Sequence, residues 1–264
     1  MNKPIKNKIQ ILISCHKPSR ALKTKYISPI QVGTVFSKNK MDNMFHDDEY
    51  DNISQKNKRY CELTGQYFAW KNIESEYYGF FHYRRYLSFA DKKFFRMPFV
   101  DVKCKQLDEK AIKKFEWTDE RLEELVSQYD VIVPQKSFCV NNYYHYKTAN
   151  GHKIRDLDFC LNVIKNDYPE IYKSAKKYMH SGFAYFCNIF IMKKEIFNDY
   201  CEFLFDVLDK HEKEFDCKDY NTREYRVSGF LAERLCGIYL TYLKTKKNIK
   251  FKTLQRVKFN NTDI

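Results

Sequence analysis

Apolar and polar positions fall into blocks of two kinds along this chain. Short, nearly continuous apolar runs read as strands buried on both faces: residues 8–14, 29–33, 77–87, 130–134 and 183–192, with a last candidate at 250–259. Longer segments with apolar residues every three or four positions read as amphipathic helices: 57–72, 118–128, 153–166, 193–211 and 229–243. The first of these sets Tyr60, Leu63, Tyr67 and Trp70 on one stripe with Glu62 beside it, and the last is apolar on most sides. Residues 37–58 and 135–151 read as polar loops. Residues 90–114, with Phe94, Phe95, Met97 and Phe99 among lysines, give no legible element. Strand and helix alternate, which predicts an α/β domain with a mixed, mainly parallel sheet flanked by helices.

Polar residues at the ends of the apolar runs are where such a sheet delivers chemistry. The run from Tyr77 ends in His82-Tyr83-Arg84-Arg85-Tyr86. Continued strand geometry would put Phe80, His82 and Arg84 on one face and Phe81, Tyr83 and Arg85 on the other. A guanidinium there suits a phosphate or carboxylate; a solvated basic edge strand explains the same residues. The first strand ends in His16-Lys17, which suits an anionic ligand or an ordinary turn. Asp47, Asp48 and Glu49 could bind a metal, but read better as a solvated charge run. Glu62 either meets a ligand at a helix's positive end or pairs with a base. His152 and Asp156, four apart, share a helix face. Asn188 is the one clearly polar member of its strand, and a buried amide needs partners. Glu233 and Arg234 are the only charges in an apolar helix, so each needs a partner, structural or bound.

Composition narrows the classes. Of 264 residues 44% are hydrophobic and 17% aromatic, which excludes a disordered chain. The net charge of +13 favours anionic partners: a nucleotide, a nucleic acid or an anionic membrane surface. Nine scattered cysteines without a C-x-x-C pair predict neither a zinc site nor a disulfide framework. The N-terminus lacks the apolar core of a signal peptide, and no run is long enough to span a membrane. A cytoplasmic protein is expected, with peripheral contact to the inner membrane face compatible with its charge. Dinucleotide, P-loop, G-x-S-x-G and H-E-x-x-H motifs are absent.

More specific are two blocks, Asn52-Ile53-Ser54-Gln55-Lys56-Asn57 and His82-Tyr83-Arg84-Arg85-Tyr86. With Ile11 to Lys17, Pro29 to Gly33, Tyr60 to Thr64, Trp70 to Asn72, Asn188 to Phe197, Arg226, Gly229 and Ala232-Glu233-Arg234-Leu235, they resemble a bacterial capsule and exopolysaccharide glycosyltransferase family. That family was long catalogued as domain of unknown function 4422. The resemblance covers nearly the whole chain; Phe68 and Ile189 depart from it conservatively. It implies a single GT-A-like, Rossmann-type domain over 1–264, with a nucleotide-sugar half to about residue 135 and an acceptor half after it.

The implied activity is inverting transfer of a hexose, galactose or galactofuranose foremost, from a UDP-sugar to a lipid-linked saccharide. GT-A enzymes hold a divalent metal with a D-x-D, and none stands beside His82. The resemblance therefore implies no cofactor, with Mn or Mg as the alternative, and Arg84 or Arg85 with His82 neutralising the diphosphate. Glu233 is the expected catalytic base, with Asp130 and Asp156 behind it. Expected substrate contacts are His16, Lys17, Asn52, Lys56, Asn57, Glu62, Tyr83, His152, Asp156, Asn188 and Arg234, with residues 143–152 as an acceptor lip. A basic single-stranded nucleic-acid-binding protein and a noncatalytic carbohydrate-binding subunit are the competing readings; RNP, KH and helix-turn-helix patterns that would support the former are absent.

Overall fold

The computed structural model describes residues 3–94 and 101–263. Phe95, Met97 and Phe99 of the unassigned aromatic stretch lie outside the described residues. In chain order the principal elements are β1 (Ile9–Cys15), β2 (Ile27–Gln31), β3 (Phe45–His46), α1 (Asn57–Tyr60), α2 (Leu63–Asn72), β4 (Tyr77–His82), β5 (Arg85–Leu87) and β6 (Val102–Cys104). There follow α3 (Glu109–Phe115), α4 (Asp119–Gln128), β7 (Val131–Pro134), α5 (Asn142–Thr148), α6 (Ile154–Asp167), α7 (Pro169–Met179), β8 (Phe190–Lys193), α8 (Lys194–Glu214), α9 (Val227–Leu243), β9 (Phe251–Leu254) and β10 (Arg256–Phe259).

Every residue of β1 is buried. Strand alternation divides the run between two cores: Leu12 packs into one, and Ile9, Ile11, Ile13 and Cys15 into the other. Burial on both faces is why the sequence shows an apolar run there instead of alternation. The ten-stranded sheet has the order β9-β7-β8-β4-β1-β2-β3, with β5 and β6 joined through β10. Pairs β1–β2, β1–β4, β2–β3 and β7–β9 are parallel, whereas β8 runs antiparallel to both β4 and β7. The sheet is thus mixed and mainly parallel, and strands from both sides of residue 135 share it. Helices α2 and α6 to α9 cover one face, α3 and α4 the other. Gly79 sits where β1 and β8 close on β4: a Cβ there would stand 2.8 Å from Ile11 Cγ1 and 3.0 Å from Ile191 Cγ1.

Five local expectations are corrected. Strand geometry stops at His82: Tyr83 and Arg84 form a tight turn, and Arg85 pairs back across the hairpin with His82. The shared face drawn for His82 and Arg84 is therefore not formed. The helix expected over 57–72 breaks at Cys61, whose φ of 53° no helix continues, and restarts at Leu63. The loop at 135–151 contains α5, because Asn141 caps it by accepting from Tyr144 N at 2.9 Å and Tyr146 is fully buried. The strand at 183–192 is interrupted by left-handed backbone at Cys187 (φ 75°) and Asn188 (φ 48°), so Asn188 stands just ahead of β8. Asp47 is wholly buried, not solvated. It accepts from Gly33 N (2.7 Å), Thr34 N (3.0 Å), Ser54 Oγ (2.6 Å) and Thr64 Oγ1, tying the turn after β2 to α2. Asp48 and Glu49 are partly exposed and pair with Lys40.

Candidate active site

Parallel strands expose their carboxyl ends along one sheet edge, and ligands collect there. Here β1 and β4 end side by side, Ser14 in register with His82. Over that edge lies a cavity of about 700 Å³. One wall is the broken helix, with Asn57, Lys58, Cys61 and Glu62; the opposite wall is the approach to α9, with Tyr220 and Arg226. Gly229 lets the two walls meet: a Cβ there would lie 3.2 Å from Cys61 Sγ. The break at Cys61 turns Glu62 into the residue that precedes α2, at the positive end of that helix.

Charges around the cavity are unevenly satisfied. Arg226 precedes the first turn of α9, donates from Nε to Cys61 Sγ at 3.3 Å, and has no ion pair with a carboxylate among the described residues. His82 accepts at Nδ1 from Arg84 N at 3.3 Å, which leaves its proton on Nε2. Burial, with Arg85, His16, Arg84 and Arg226 around it, pulls His82 down to about 3. It is therefore a neutral donor, and the expected role of a cation is not available to it in the free protein. His16 is likewise lowered by burial, Lys17 and Arg226. Its ring meets that of Tyr83, itself 6% exposed, at 5.0 Å.

Beside the cavity a second group forms around the left-handed turn. Asn188 donates from Nδ2 to Glu62 Oε1 at 2.9 Å, and its Oδ1 is buried without a partner. Glu233 Oε1 accepts from Cys187 N at 2.7 Å, and its Oε2 stands 3.8 Å from the Arg234 guanidinium. Burial raises the Glu233 carboxyl, and Glu62 adds to this against the opposing Arg234 and Arg256 cations. Two successive non-glycine residues at positive φ, next to a raised carboxyl, are strain placed where chemistry is commonly found. Burial also pushes the Cys61 and Cys187 thiols up to about 11, so neither is a thiolate nucleophile.

The expected site residues do not all gather here. His16, Asn57, Glu62 and His82 line the cavity, and Asn188 and Glu233 adjoin it. Arg84 and Arg85 influence His82 electrostatically but do not line the cavity; Arg85 faces Asp101 at 3.9 Å. Lys17 pairs with Asp263 and Lys56 with Glu212. Asn52 closes its own turn on the Asp48 and Tyr50 carbonyls. Arg234 is 0% exposed, bonds His145 Nδ1 at 2.9 Å and acts on Glu233 from behind. Asp156 is buried against His211 (3.0 Å) and Tyr220 (2.6 Å), part of a scaffold that continues to Arg59. His152 stacks on Phe230 and does not lie on the α6 face assigned to it. Asp130 accepts from Lys250 N at the amino end of β7, the far edge of the sheet. Lys58, Tyr220 and Arg226 were missed as contacts. Only Arg226 had a usable signal, a cation immediately before an apolar helix.

Among the described residues, no three His, Cys, Asp or Glu side chains could hold an ion together.

Comparison with solved structures finds the same fold with transferase company. A chain described as "WbbM bifunctional glycosytransferase apo structure" superposes with a TM-score of 0.91 and 38% identity. The match covers 97% of this chain and 46% of that one, so the present chain spans less than half the length of that relative. No curated protein matches the sequence. A family profile described as a domain of unknown function (DUF4422) matches residues 10–246. With strand, cavity and polar clusters all within that span, the chain belongs to the DUF4422 family.

Proposed function

We propose that this chain is a glycosyltransferase that moves a hexose from a UDP-sugar to the hydroxyl of a saccharide acceptor, with inversion. The observation that carries the reading is the cavity at the carboxyl ends of β1 and β4, which has an unpaired cation, Arg226, on one wall and the Glu62–Asn188–Glu233 cluster beside the other. Similarity to one part of a bifunctional glycosyltransferase supports it. The volume suits a nucleotide-sized ligand.

The diphosphate lies against Arg226 and Lys58, where a guanidinium and an ammonium stabilise the charge that develops on departure. Arg84 and Arg85 add field without contact, and neutral His82 donates one hydrogen bond from Nε2. The acceptor hydroxyl attacks the anomeric carbon while the bond to the diphosphate oxygen breaks; UDP leaves with the electron pair and the Glu233 carboxylate takes the proton. Burial makes Glu233 a stronger base, Arg234 and the Cys187 N–H act against that rise, and the Cys187 N–H holds Oε1 in place. Cationic side chains take the part of a metal in this reading. A lipid-linked acceptor at the cytoplasmic membrane face accords with the net positive charge.

The test is UDP release screened across UDP-hexoses, UDP-galactofuranose included, with a saccharide acceptor and with or without chelator. Release that persists in chelator and falls by about 10²–10⁴ in Glu233→Gln supports the reading. No release from any donor overturns it. Activity of Glu233→Gln within a fewfold of the parent removes the base assignment, and turnover that needs Mn²⁺ removes the metal-independent part.

A further inference from the structure

We propose that the surface formed by Phe138, Val140 and Tyr144, collared by Lys136, Lys147 and Lys177, docks this chain onto an anionic lipid bilayer. These three apolar side chains are 64%, 78% and 58% exposed; Phe138 and Val140 lie on the connection from β7 to α5, and Tyr144 in the first turn of α5. Exposed large apolar groups gathered in one place mark an interaction surface.

The backbone holds them out. Residues Ser137–Phe138 pair antiparallel with Phe183–Ala184. Cys139 N bonds Gly182 O at 2.8 Å, Asn142 N bonds Ser181 O at 3.0 Å, and the buried Asn142 amide satisfies the Tyr178, Ser181 and Phe183 carbonyls. Gly182 fits closely here: a Cβ would stand 3.0 Å from Cys139 O. The protrusion is thus fixed by a satisfied hydrogen-bond network, and the side chains cannot turn inward without breaking it.

The charge around the patch selects the partner. Lys147 lies one turn along α5 from Tyr144, on the same face, and is exposed, as is Lys177 in the last turn of α7. Lys136 is lowered by burial and by Lys177, and Lys244 by burial and by Lys136; among the described residues no carboxylate offsets either. An apolar tip with a Phe and a Tyr, ringed by uncompensated lysines, is complementary to a bilayer interface carrying anionic headgroups. Among the described residues no helix could cross the membrane, so attachment through this face is peripheral.

Position adds a consequence that rests on the transferase reading above. His145 of the same α5 bonds Arg234, next to Glu233, and its ring lies 5.3 Å from Phe186, one residue before Cys187. Docking by this face brings the bilayer to the acceptor side of the site, where a saccharide on a lipid would enter.

The test is flotation of the full chain with vesicles of phosphatidylcholine alone and of phosphatidylcholine mixed with phosphatidylglycerol. It compares the parent, the double variant Phe138→Ser/Val140→Ser and the charge variant Lys136→Gln/Lys177→Gln. Binding to the mixed vesicles only, weakened about tenfold or more in either variant and by added salt, with Tm unchanged, is the expected result. Equal flotation of parent and variants, no flotation of the parent, or equal binding to neutral vesicles overturns the proposal; the first of these would leave the patch to a protein partner. UDP release toward a detergent-dispersed acceptor is measured separately. Its absence with flotation intact sinks the transferase reading and leaves docking standing, and the converse holds.

Discussion

Glu62 and Asn188, 126 positions apart in sequence, are joined by a 2.9 Å hydrogen bond from the Asn188 amide. Both sit where regular structure breaks, Glu62 after the left-handed Cys61 and Asn188 in left-handed backbone itself. The bond therefore locks two breaks to each other, and with them the two carboxylates that flank the cavity.

That geometry predicts coupling. Asn188→Ala and Glu62→Gln each cost about 1–3 kcal/mol in stability or in kcat/KM expressed as energy. The double variant loses less than their sum, by about 0.5–3 kcal/mol. A double-mutant cycle on urea midpoints and on UDP release measures it; strict additivity would mean the two residues act apart.

Arg226 rather than Arg84 is expected to dominate donor affinity. Arg226→Ala loses a charge-assisted contact worth about 1.5–3 kcal/mol, which is about tenfold to a hundredfold in UDP affinity. Arg84→Ala, which removes only a screened neighbour of His82, changes it by about threefold or less. Calorimetric titration with UDP ranks the two, and a larger effect at Arg84 would move the diphosphate to the hairpin turn.

Asp47 is expected to matter for stability and not for chemistry. Asp47→Ala strips acceptors from the buried Gly33 and Thr34 N–H groups and from two hydroxyls, and destabilises by about 3 kcal/mol or more. Asp47→Asn keeps some acceptors and falls between. Chemical denaturation measures both, and near-native stability of the alanine variant would show that the turn after β2 is held otherwise.

Stability is expected to fall on the acid side. Burial holds His82 at about 3 and His152 at about 4, against 6.5 when each is free. Below pH 6.5 the unfolded chain takes up protons that these folded imidazoles do not. The contribution of both is thus complete above that pH and is lost as pH falls toward 4 and 3. Thermal unfolding followed from neutral to acid pH should show a declining Tm, with a shallower decline in His82→Gln. An unchanged slope in that variant would show His82 to be protonated already in the fold.

The sequence by itself determined the layer architecture. A continuous apolar run such as that of β1 fits a strand buried on both faces, and helices with an apolar stripe, such as α8, must bury that stripe against another layer. It also placed Glu233 and Arg234 as charges that needed partners, because an apolar helix makes any charge conspicuous. Tertiary structure alone decided which partners: Cys187 N for Glu233, and His145 for Arg234, which left the latter buried and out of reach of a substrate. It also decided that the basic run from His82 would turn at Tyr83 and Arg84 instead of continuing, since pairing of Arg85 back onto His82 depends on β10 receiving the returning strand. Left-handed backbone at Cys61 and Cys187 has no composition to announce it, unlike that at Asn188, since asparagine tolerates positive φ; at the cysteines it is imposed by what packs around each break. Alternation and periodicity are local and survive in one dimension. A cavity and the cation that faces it are made by residues far apart in the chain, and only folding brings His82, Glu62 and Arg226 to the same edge.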